Sequence, residues 1–323
     1  MHVSIGVDIG GTNTVIGLVD GGGRVAASEK IPTRAEEGPD ALFDRIAASA
    51  AALLGGFGVD PAATTVGIGV PGFVDREAGI SLLSGNLQWR GVPVAREVER
   101  RLGAPTAIDN DVRLYVYGEA MAGAGRGAAH VLGVTVGTGL AAALVTEGRL
   151  FYGSGGMAGE LGHLRLDGIP YRCGCGLTGC LETVASATGI VRQARALVAA
   201  GRASVLRDRF PESELRGLTA FDVSRAYDDG DDVAREVLAS TGRWLGRGLA
   251  YAVTLFSPDR VIVGGGAAAA GERLLEPVRR EMEASLIPDY WARIDVVPAS
   301  LGDEAGVIGS AMYGRRRAAE RRA

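Results

Sequence analysis

The chain has 323 residues, of which 47% are hydrophobic and 22% are charged, with a formal net charge of −4 at pH 7. These values indicate a compact protein, most often of two domains, and argue against a broad nucleic-acid surface. The sequence shows no N-terminal leader and no apolar run that could cross a bilayer, so we predict a cytoplasmic protein without membrane contact. In that compartment thiols stay reduced, which favours metal-ligand or catalytic roles for the three cysteines.

The first predicted elements alternate strands and helices. SIGVDIGGTNTVIGLVD predicts a hairpin of strands 3–7 and 15–19, and a third strand is predicted over 24–29. Apolar spacing in DALFDRIAASAAALLGGFG predicts a helix that ends at its glycines, and the strands TVGIGVP and APTAIDN follow. This alternation indicates an α/β domain.

The second half repeats this form. HVLGVTVGTGLAAALVTEGRLFYG predicts a strand, a Gly-Thr-Gly turn and a strand, and residues 189–256 have helical periodicity. VIVGGGAAAAGERLLEPVRREM predicts a strand, a glycine turn and a helix, and the final LGDEAGVIGSAMYGRRR predicts a helix that packs back on the first domain. We therefore predict a small domain of residues 1–117 plus 299–323 and a large domain of residues 118–298.

Three glycine turns are candidate phosphate sites, although each is also compatible with ordinary turn chemistry. They are DIGGT at 8–12, VGTGL at 136–140 and GGGAAAAG at 264–271. The third also fits a dinucleotide fingerprint, but no acidic residue follows a second strand at the expected distance. Lys30 is the only lysine and follows no glycine-rich loop, which excludes a P-loop. Two phosphate turns and a third turn for a nucleoside fit ATP.

The acid–base candidate lies in AIDND, at the end of a predicted strand. Asp111 is well placed to accept a proton from an alcohol that attacks a γ-phosphate, although Asn110 and Asp111 could instead cap the next helix. Strand alternation directs Asp109 the other way. Glu160 and Glu182 flank the cysteines among glycines, where they could bind a polar ligand or remain solvated charges.

The cysteines form the most specific pattern. Cys173, Cys175 and Cys180 supply three thiolates, and His163 in GELGH is the nearest imidazole. Four such ligands suit a tetrahedral structural Zn²⁺ site, although Cys-x-Cys is tighter than the usual spacing. The alternative is a core histidine with small buried cysteines. A metal here would hold the loop in shape so that Glu160 and Glu182 can bind.

These motifs resemble the ROK family of bacterial sugar kinases and repressors. GVDIGGTNT, GVPGFVD, DND with GEA, VTVGTG, AGELGH, CGCGLTGCLET, VIVGGG and LGDEAGVIGSA occur in the family's order over nearly the whole chain. The resemblance implies an α/β, two-domain, actin-like or hexokinase-like ATPase fold with an interdomain cleft. It also implies ATP, Mg²⁺ and structural Zn²⁺, and a homodimer or a tetramer.

The resemblance also implies residue roles. Asp111 matches the base that takes the proton from the sugar 6-hydroxyl. The residues that match sugar-binding positions are Asn86, Asn110, Glu160, His163 and Glu182. The residues that match nucleotide-binding positions are Asp8, Gly10, Gly11, Thr12, Gly137, Thr138, Gly139, Gly264, Gly265 and Gly266. The residues that match zinc ligands are His163, Cys173, Cys175 and Cys180, so His163 would serve zinc and sugar with different ring nitrogens.

We therefore predict an ATP-dependent kinase of a hexose 6-hydroxyl, with glucose as the acceptor. The alternatives are an aminosugar acceptor such as kanosamine, N-acetylglucosamine or N-acetylmannosamine, a sugar-sensing regulator, and an ATPase without an acceptor. Two departures from the family pattern are Arg113 and the alanines at 141–143. Arg113 is expected near the sugar pocket or the hinge.

Overall fold

The computed structural model describes residues 3–210 and 215–322. The chain forms two compact units, unit 1 with residues 1–127 and 300–323 and unit 2 with residues 128–299. The predicted boundary at residue 117 falls inside a helix, Asp111–Ala122, which packs as one piece within unit 1. All of this helix lies in unit 1, which continues to residue 127.

The described residues form the following elements. The strands are β1 (Ser4–Ile9), β2 (Asn13–Val19), β3 (Val25–Pro32), β4 (Val66–Val70), β5 (Phe73–Asp75), β6 (Ile80–Ser84), β7 (Trp89–Val92), β8 (Thr106–Asn110), β9 (His130–Val136), β10 (Leu140–Thr146), β11 (Arg149–Leu150), β12 (Arg260–Gly264) and β13 (Asp295–Pro298). The helices are α1 (Pro39–Gly56), α2 (Val94–Leu102), α3 (Asp111–Ala122), α4 (Ala187–Ala199), α5 (Val205–Arg209), α6 (Ala220–Asp228), α7 (Asp232–Phe256), α8 (Glu272–Ser285), α9 (Pro288–Trp291) and α10 (Ala305–Glu320). None of these helices is both long and apolar enough to cross a membrane.

Each unit contains a five-stranded sheet with the same topology. The strand order is β3-β2-β1-β4-β8 in unit 1 and β11-β10-β9-β12-β13 in unit 2. In both sheets a hairpin forms the first antiparallel pairs, and the last strands run parallel to its first strand. The repeated form that the sequence predicts is therefore confirmed at the level of strand pairing.

In unit 1 the alternation of residues along β1 divides the sheet into two faces. Ile5 and Val7 are buried in the core that α1 and α2 complete. Gly6 faces α10, where an added Cβ would lie 1.9 Å from the Val307 carbonyl oxygen. On the same face, a Cβ at Gly67 would lie 1.7 Å from the Ser310 carbonyl oxygen. Glycine therefore permits the close approach of the C-terminal helix, which packs on this unit as the sequence predicts.

Unit 2 has the larger apolar core, which joins its sheet to α4, α6, α7 and α8. The helical periodicity predicted for residues 189–256 corresponds to α4 to α7. The small sheet β5-β6-β7 of unit 1 was not predicted. Its strands are only three to five residues long, so they carry too little alternation to be recognised.

Candidate active site and metal centre

Two half-buried carboxylates lie where β1 and β8 end in unit 1. Asp8 lies on β1, and Asp111 is the first residue of α3, directly after β8. Asn110 is the N-cap of that helix, because its Oδ1 accepts a hydrogen bond of 3.1 Å from the Arg113 amide. Asn110 also donates through Nδ2 to the Gly72 carbonyl at 3.1 Å. The capping role belongs to Asn110, which leaves the Asp111 carboxylate for another function.

The surroundings of these two acids favour the protonated form. Burial, and next the charge of Asp111, raise the pKa of Asp8 to about 7. Burial also raises the pKa of Asp111, while the amides of Val112 and of Asp111 itself act in the opposite direction. Two neighbouring acids with raised pKa values suit one cation and one proton acceptor, since a bound cation compensates the negative charge that their surroundings disfavour. The residues present therefore fit Mg²⁺ together with a general base.

A glycine of α10 that the sequence analysis missed lies against Asp8. A Cβ at Gly306 would lie 2.3 Å from Asp8 Oδ2, so any larger residue would displace the carboxylate. In the sequence, GDEAG marks only a helix start, and nothing in it indicates a contact with a residue nearly 300 positions earlier. This contact depends on the packing of α10 on β1.

Asp109 does not belong to the acid pair. Its side chain is 1% exposed, it accepts a hydrogen bond of 2.7 Å from the Asn110 amide, and Arg113 Nη1 lies 3.6 Å from its Oδ1. The expectation that Asp109 faces away from the pair agrees with these contacts. The Arg113 side chain is directed to Asp109, one turn earlier along the chain.

The first glycine turn connects β1 to β2. The Gly10 amide donates to the Asn13 carbonyl at 2.9 Å, and the Thr33 hydroxyl donates to the Gly10 carbonyl at 2.7 Å. A Cβ at Gly11 would lie 3.6 Å from the Asn86 Cβ. The turn and Asn86, a predicted sugar ligand between β6 and β7, are therefore neighbours in space.

The second glycine turn, between β9 and β10 of unit 2, is held by the start of α4. The Ala187 amide donates to the Gly137 carbonyl at 2.8 Å, and the Thr188 hydroxyl donates to the Thr138 carbonyl at 2.8 Å. A Cβ at Gly139 would lie 2.9 Å from Glu182 Oε2. The structure thus joins this turn to the carboxylate that follows the cysteine loop.

The four predicted metal ligands form one cluster. One ligand atom from each of them lies within 4.8 Å of the others. Cys175 Sγ is 3.6 Å from Cys180 Sγ, and Cys173 Sγ is 3.7 Å from His163 Nδ1. Neighbouring ligands of a tetrahedral zinc ion are about 3.5–3.8 Å apart, as follows from bonds of about 2.0–2.3 Å. The donor set and its spacing therefore fit Zn²⁺.

The two glutamates lie beside His163. Nδ1 of His163 faces the cluster, and Nε2 is 3.9 Å from Glu160 Oε2. Glu182 Oε1 accepts from Cys173 Sγ at 2.8 Å and lies 3.8 Å from His163 Nδ1. The imidazole ring is 38% exposed, so its outer nitrogen can reach a ligand. This arrangement allows one ring nitrogen for a metal and the other for a polar substrate.

The third glycine turn adjoins a cavity that the sequence analysis did not find. Gly265 has φ of +87°, and a Cβ there would lie 2.7 Å from the Val136 amide nitrogen, so glycine is required. A cavity of about 220 Å³ is lined by Gly266 and by Phe221 and Arg225 of α6. One exposed aromatic on an amphipathic helix gives no sequence signal of a binding site.

The fold and these sites define an α/β protein of the actin-like ATPase class. A solved ROK family glucokinase from Streptomyces griseus, in complex with glucose and AMPPNP, matches with a TM-score of 0.80 and 36% identity, covering 97% of this chain and 99% of that one. A ROK family transcriptional regulator, a homologue of the E. coli MLC protein, matches with a TM-score of 0.84 and 27% identity, covering 97% of this chain and 78% of that one.

Sequence comparison identifies the family. A profile of the ROK family matches residues 4–317. Glucokinase from Streptomyces coelicolor is 36% identical over 321 residues, which is 98% of each chain. The chain therefore belongs to the ROK family, as its motifs predict.

Proposed function

We propose that this protein is an ATP-dependent sugar kinase that phosphorylates the 6-hydroxyl of glucose. The observation that carries the proposal is Asp111, a half-buried carboxylate of raised pKa that starts a capped helix beside a second acid of raised pKa. Full-length similarity to glucokinases supports the same reading. The regulator that matches in fold has a longer chain, of which this protein covers 78%.

In the proposed reaction Asp111 accepts the proton of the sugar 6-hydroxyl. The 6-oxygen then forms a bond to the γ-phosphorus, while the bond from that phosphorus to the β–γ bridging oxygen breaks and ADP leaves. A pKa raised above the ordinary value makes the Asp111 carboxylate a stronger proton acceptor. The acidic pocket of Asp8 would hold Mg²⁺, which neutralises charge on the phosphates when bound.

We assign the candidate residues to three parts of the substrates, namely the sugar, the phosphates and the adenosine. Residues proposed to hydrogen-bond the sugar are Asn86, Asn110, Glu160, His163 and Glu182. Residues proposed to receive the phosphates are Gly10, Gly11, Thr12, Gly137, Thr138 and Gly139. The proximity of Gly11 to Asn86, and of Gly139 to Glu182, supports this division because each pair joins a phosphate turn to a sugar ligand. The cavity at Gly266 supports the adenosine role of residues 264–266, since Phe221 offers an apolar ring there.

We also propose that His163, Cys173, Cys175 and Cys180 hold one structural Zn²⁺. The ion would fix the loop that carries Glu182 and the imidazole that faces Glu160. The spacing of the sulfur and nitrogen atoms supports this assignment. Zinc per chain, measured by elemental analysis of the purified protein, tests it directly.

A homodimer is the proposed assembly. Its support is an exposed apolar patch on unit 2, where Leu255 is 76% exposed beside Tyr251 and Phe256. The ring centroids of Phe256 and Phe151 are 6.2 Å apart. Exposed apolar groups of this size are typical of contact surfaces. Light scattering of the wild-type protein and of Leu255→Arg tests the proposal, and an unchanged mass of one chain in both would contradict it.

The decisive test measures ADP release from ATP and Mg²⁺ against a panel of hexoses and aminosugars, with a control that lacks sugar. Release that is fastest with glucose supports the proposal. Faster ADP release with an aminosugar would show that the aminosugar, and not glucose, is the preferred acceptor. Glu160 and Glu182 could also accept a hydrogen bond from an amino or acetamido N–H. Sugar binding without ADP release would favour the regulator, and release without sugar would favour an ATPase.

A further inference from the structure

Glu119 is a fully buried carboxylate to which the proposed reaction assigns no role. It lies in the last turns of α3, the helix that begins with Asp111, and its side chain is 0% exposed. Burying a carboxylate is costly unless hydrogen-bond donors surround it. The identity of those donors indicates what the residue does.

The donors come from both points at which the chain passes between the units. Glu119 Oε1 accepts from the amides of Ser300 at 2.9 Å and Leu301 at 2.7 Å, the first residues after the chain returns to unit 1. Oε2 accepts from the Ala124 amide at 2.9 Å, just before the chain leaves unit 1 after Gly127. One carboxylate therefore binds both connecting segments.

The local backbone is shaped for this contact. The Glu119 carbonyl accepts from the amides of Gly123 at 3.1 Å and Gly125 at 2.9 Å, which ends α3. A Cβ at Gly123 would lie 2.2 Å from Glu119 Oε2 and 2.8 Å from the Leu301 Cγ. Glycine at position 123 thus leaves the space that the carboxylate and Leu301 occupy.

The contact also fixes the start of α10 relative to α3. Leu301 precedes α10 by one short turn, and Gly306 of α10 lies against Asp8. Further along the same helix, a Cβ at Gly309 would lie 1.7 Å from the Leu114 carbonyl of α3. A line of contacts therefore leads from Leu301 through α10 to Asp8, whose neighbour is Asp111.

We propose that Glu119 is a positioning residue that fastens both connections between the units to the helix that carries Asp111. It acts through the backbone and touches no substrate. Its charge is essential because a carboxylate offers only acceptors, and donors approach both of its oxygens. The kinetic part of this inference rests on the proposed kinase function.

Glu119→Gln is the principal test, because an amide presents one oxygen and one NH₂ group. The NH₂ group must face amide donors on one side, so glutamine can hold only one of the two connections. We expect hydrogen exchange at residues 300–301 or at residue 124 to rise at least about tenfold, while exchange at the other segment stays low. The kcat is expected to fall about tenfold, with the KM for glucose changed less than about twofold. Glu99→Gln, at an exposed carboxylate of α2, is the matched control.

A second variant keeps the test decisive if Glu119→Gln fails to fold. Gly123→Ala retains the carboxylate but displaces it from Leu301, and it should raise exchange at residues 300–301 and lower kcat. Gly55→Ala, where an added Cβ meets nothing within 4 Å, is its control. Unchanged exchange in either folded variant would overturn the fastening role, and raised exchange with unchanged kcat would overturn the positioning role. If the wild-type protein shows no sugar-dependent ADP release, the kinase proposal fails while the exchange experiment still decides the fastening.

Discussion

The two five-stranded sheets have the same strand order, yet they carry different chemistry at the same backbone position. In unit 1 this position is Asp8, which pairs with Val15 of the hairpin and Gly69 of the parallel neighbour. In unit 2 it is Thr135, which pairs with Ala141 and Gly264 in the same way. The backbone thus provides two equivalent positions, one with a carboxylate and the other with a hydroxyl. Of the two, the carboxylate is the better ligand for Mg²⁺.

The ends of the last strands differ in the same manner. In unit 1, β8 is followed at once by the capped helix that Asp111 begins. In unit 2, β13 is followed by Ala299, and the chain then returns to unit 1. Unit 2 instead carries the cysteine loop, which follows its hairpin. Under the proposed function, the same sheet topology carries acid–base chemistry in unit 1 and a metal-supported polar site in unit 2.

The largest expected effect is the loss of kcat when the proposed base, which has no counterpart in unit 2, is replaced. Asp111→Asn should lower kcat by on the order of a thousandfold or more and leave glucose affinity nearly unchanged, because the amide cannot accept the proton. Steady-state kinetics and calorimetric glucose titration measure the two quantities. Asp295→Asn, in the corresponding last strand of unit 2, is the control and should retain activity. A loss below about tenfold in Asp111→Asn would remove its role as base.

The next effect concerns the cysteine loop, which unit 1 lacks. Cys180→Ser should reduce bound zinc from one per chain to well below one and lower kcat/KM for glucose about a hundredfold, because the loop that carries Glu182 loses its support. Elemental analysis and kinetics check both outcomes. Thr178→Ser, a small change in the same loop, should keep the metal. Full activity of a zinc-free Cys180→Ser protein would contradict a structural role for the metal.

A smaller effect on the KM for glucose is expected to differ between the two glycines of the turn in unit 2. Gly139→Ala should raise the KM for glucose about tenfold, since its Cβ would lie 2.9 Å from Glu182 Oε2. Gly137→Ala, which would meet only the Gly139 carbonyl at 4.0 Å, should leave that constant almost unchanged. Kinetics with glucose varied at saturating ATP compare them. Equal KM values for glucose in both variants would show that the contact between this turn and Glu182 does not affect glucose binding.

The last effect is on stability and directly compares the two equivalent positions. In magnesium-free buffer the pKa of Asp8 is about 7 in the folded protein against 3.8 for the ordinary group. Between these pH values the unfolded chain binds fewer protons than the folded chain, so stability falls as pH rises from about 4 to 7. Asp8→Asn should flatten this fall, whose upper bound is about 4 kcal/mol for a shift of about three pKa units.

Thr135→Val supplies the counterpart measurement in unit 2. A hydroxyl does not titrate in this range, so the pH dependence of urea unfolding should equal that of the wild-type protein. If Asp8→Asn also leaves the slope unchanged, the pKa of Asp8 is not raised in the folded protein.

Local patterns in the sequence determined much of this protein. Alternating β-branched residues on either side of a glycine turn indicated both hairpins, because strand pairing across a short turn depends on neighbouring residues. The spacing of Cys173, Cys175 and Cys180 after His163 indicated the metal cluster, because these four residues are also close together in the sequence. The acidic end of β8 likewise indicated Asp111, although its cap, Asn110, could not be separated from it by pattern alone.

Only the tertiary structure decided which distant groups meet. Gly306 lies against Asp8, and Ser300 and Leu301 bind Glu119, although each pair is separated by well over a hundred residues. The boundary between the units and the cavity beside Phe221 also depend on such packing. A single sequence contains no periodicity that links residues so far apart. The contact of Gly306 with Asp8 arises because α10 packs closely on strands whose glycines leave room for it.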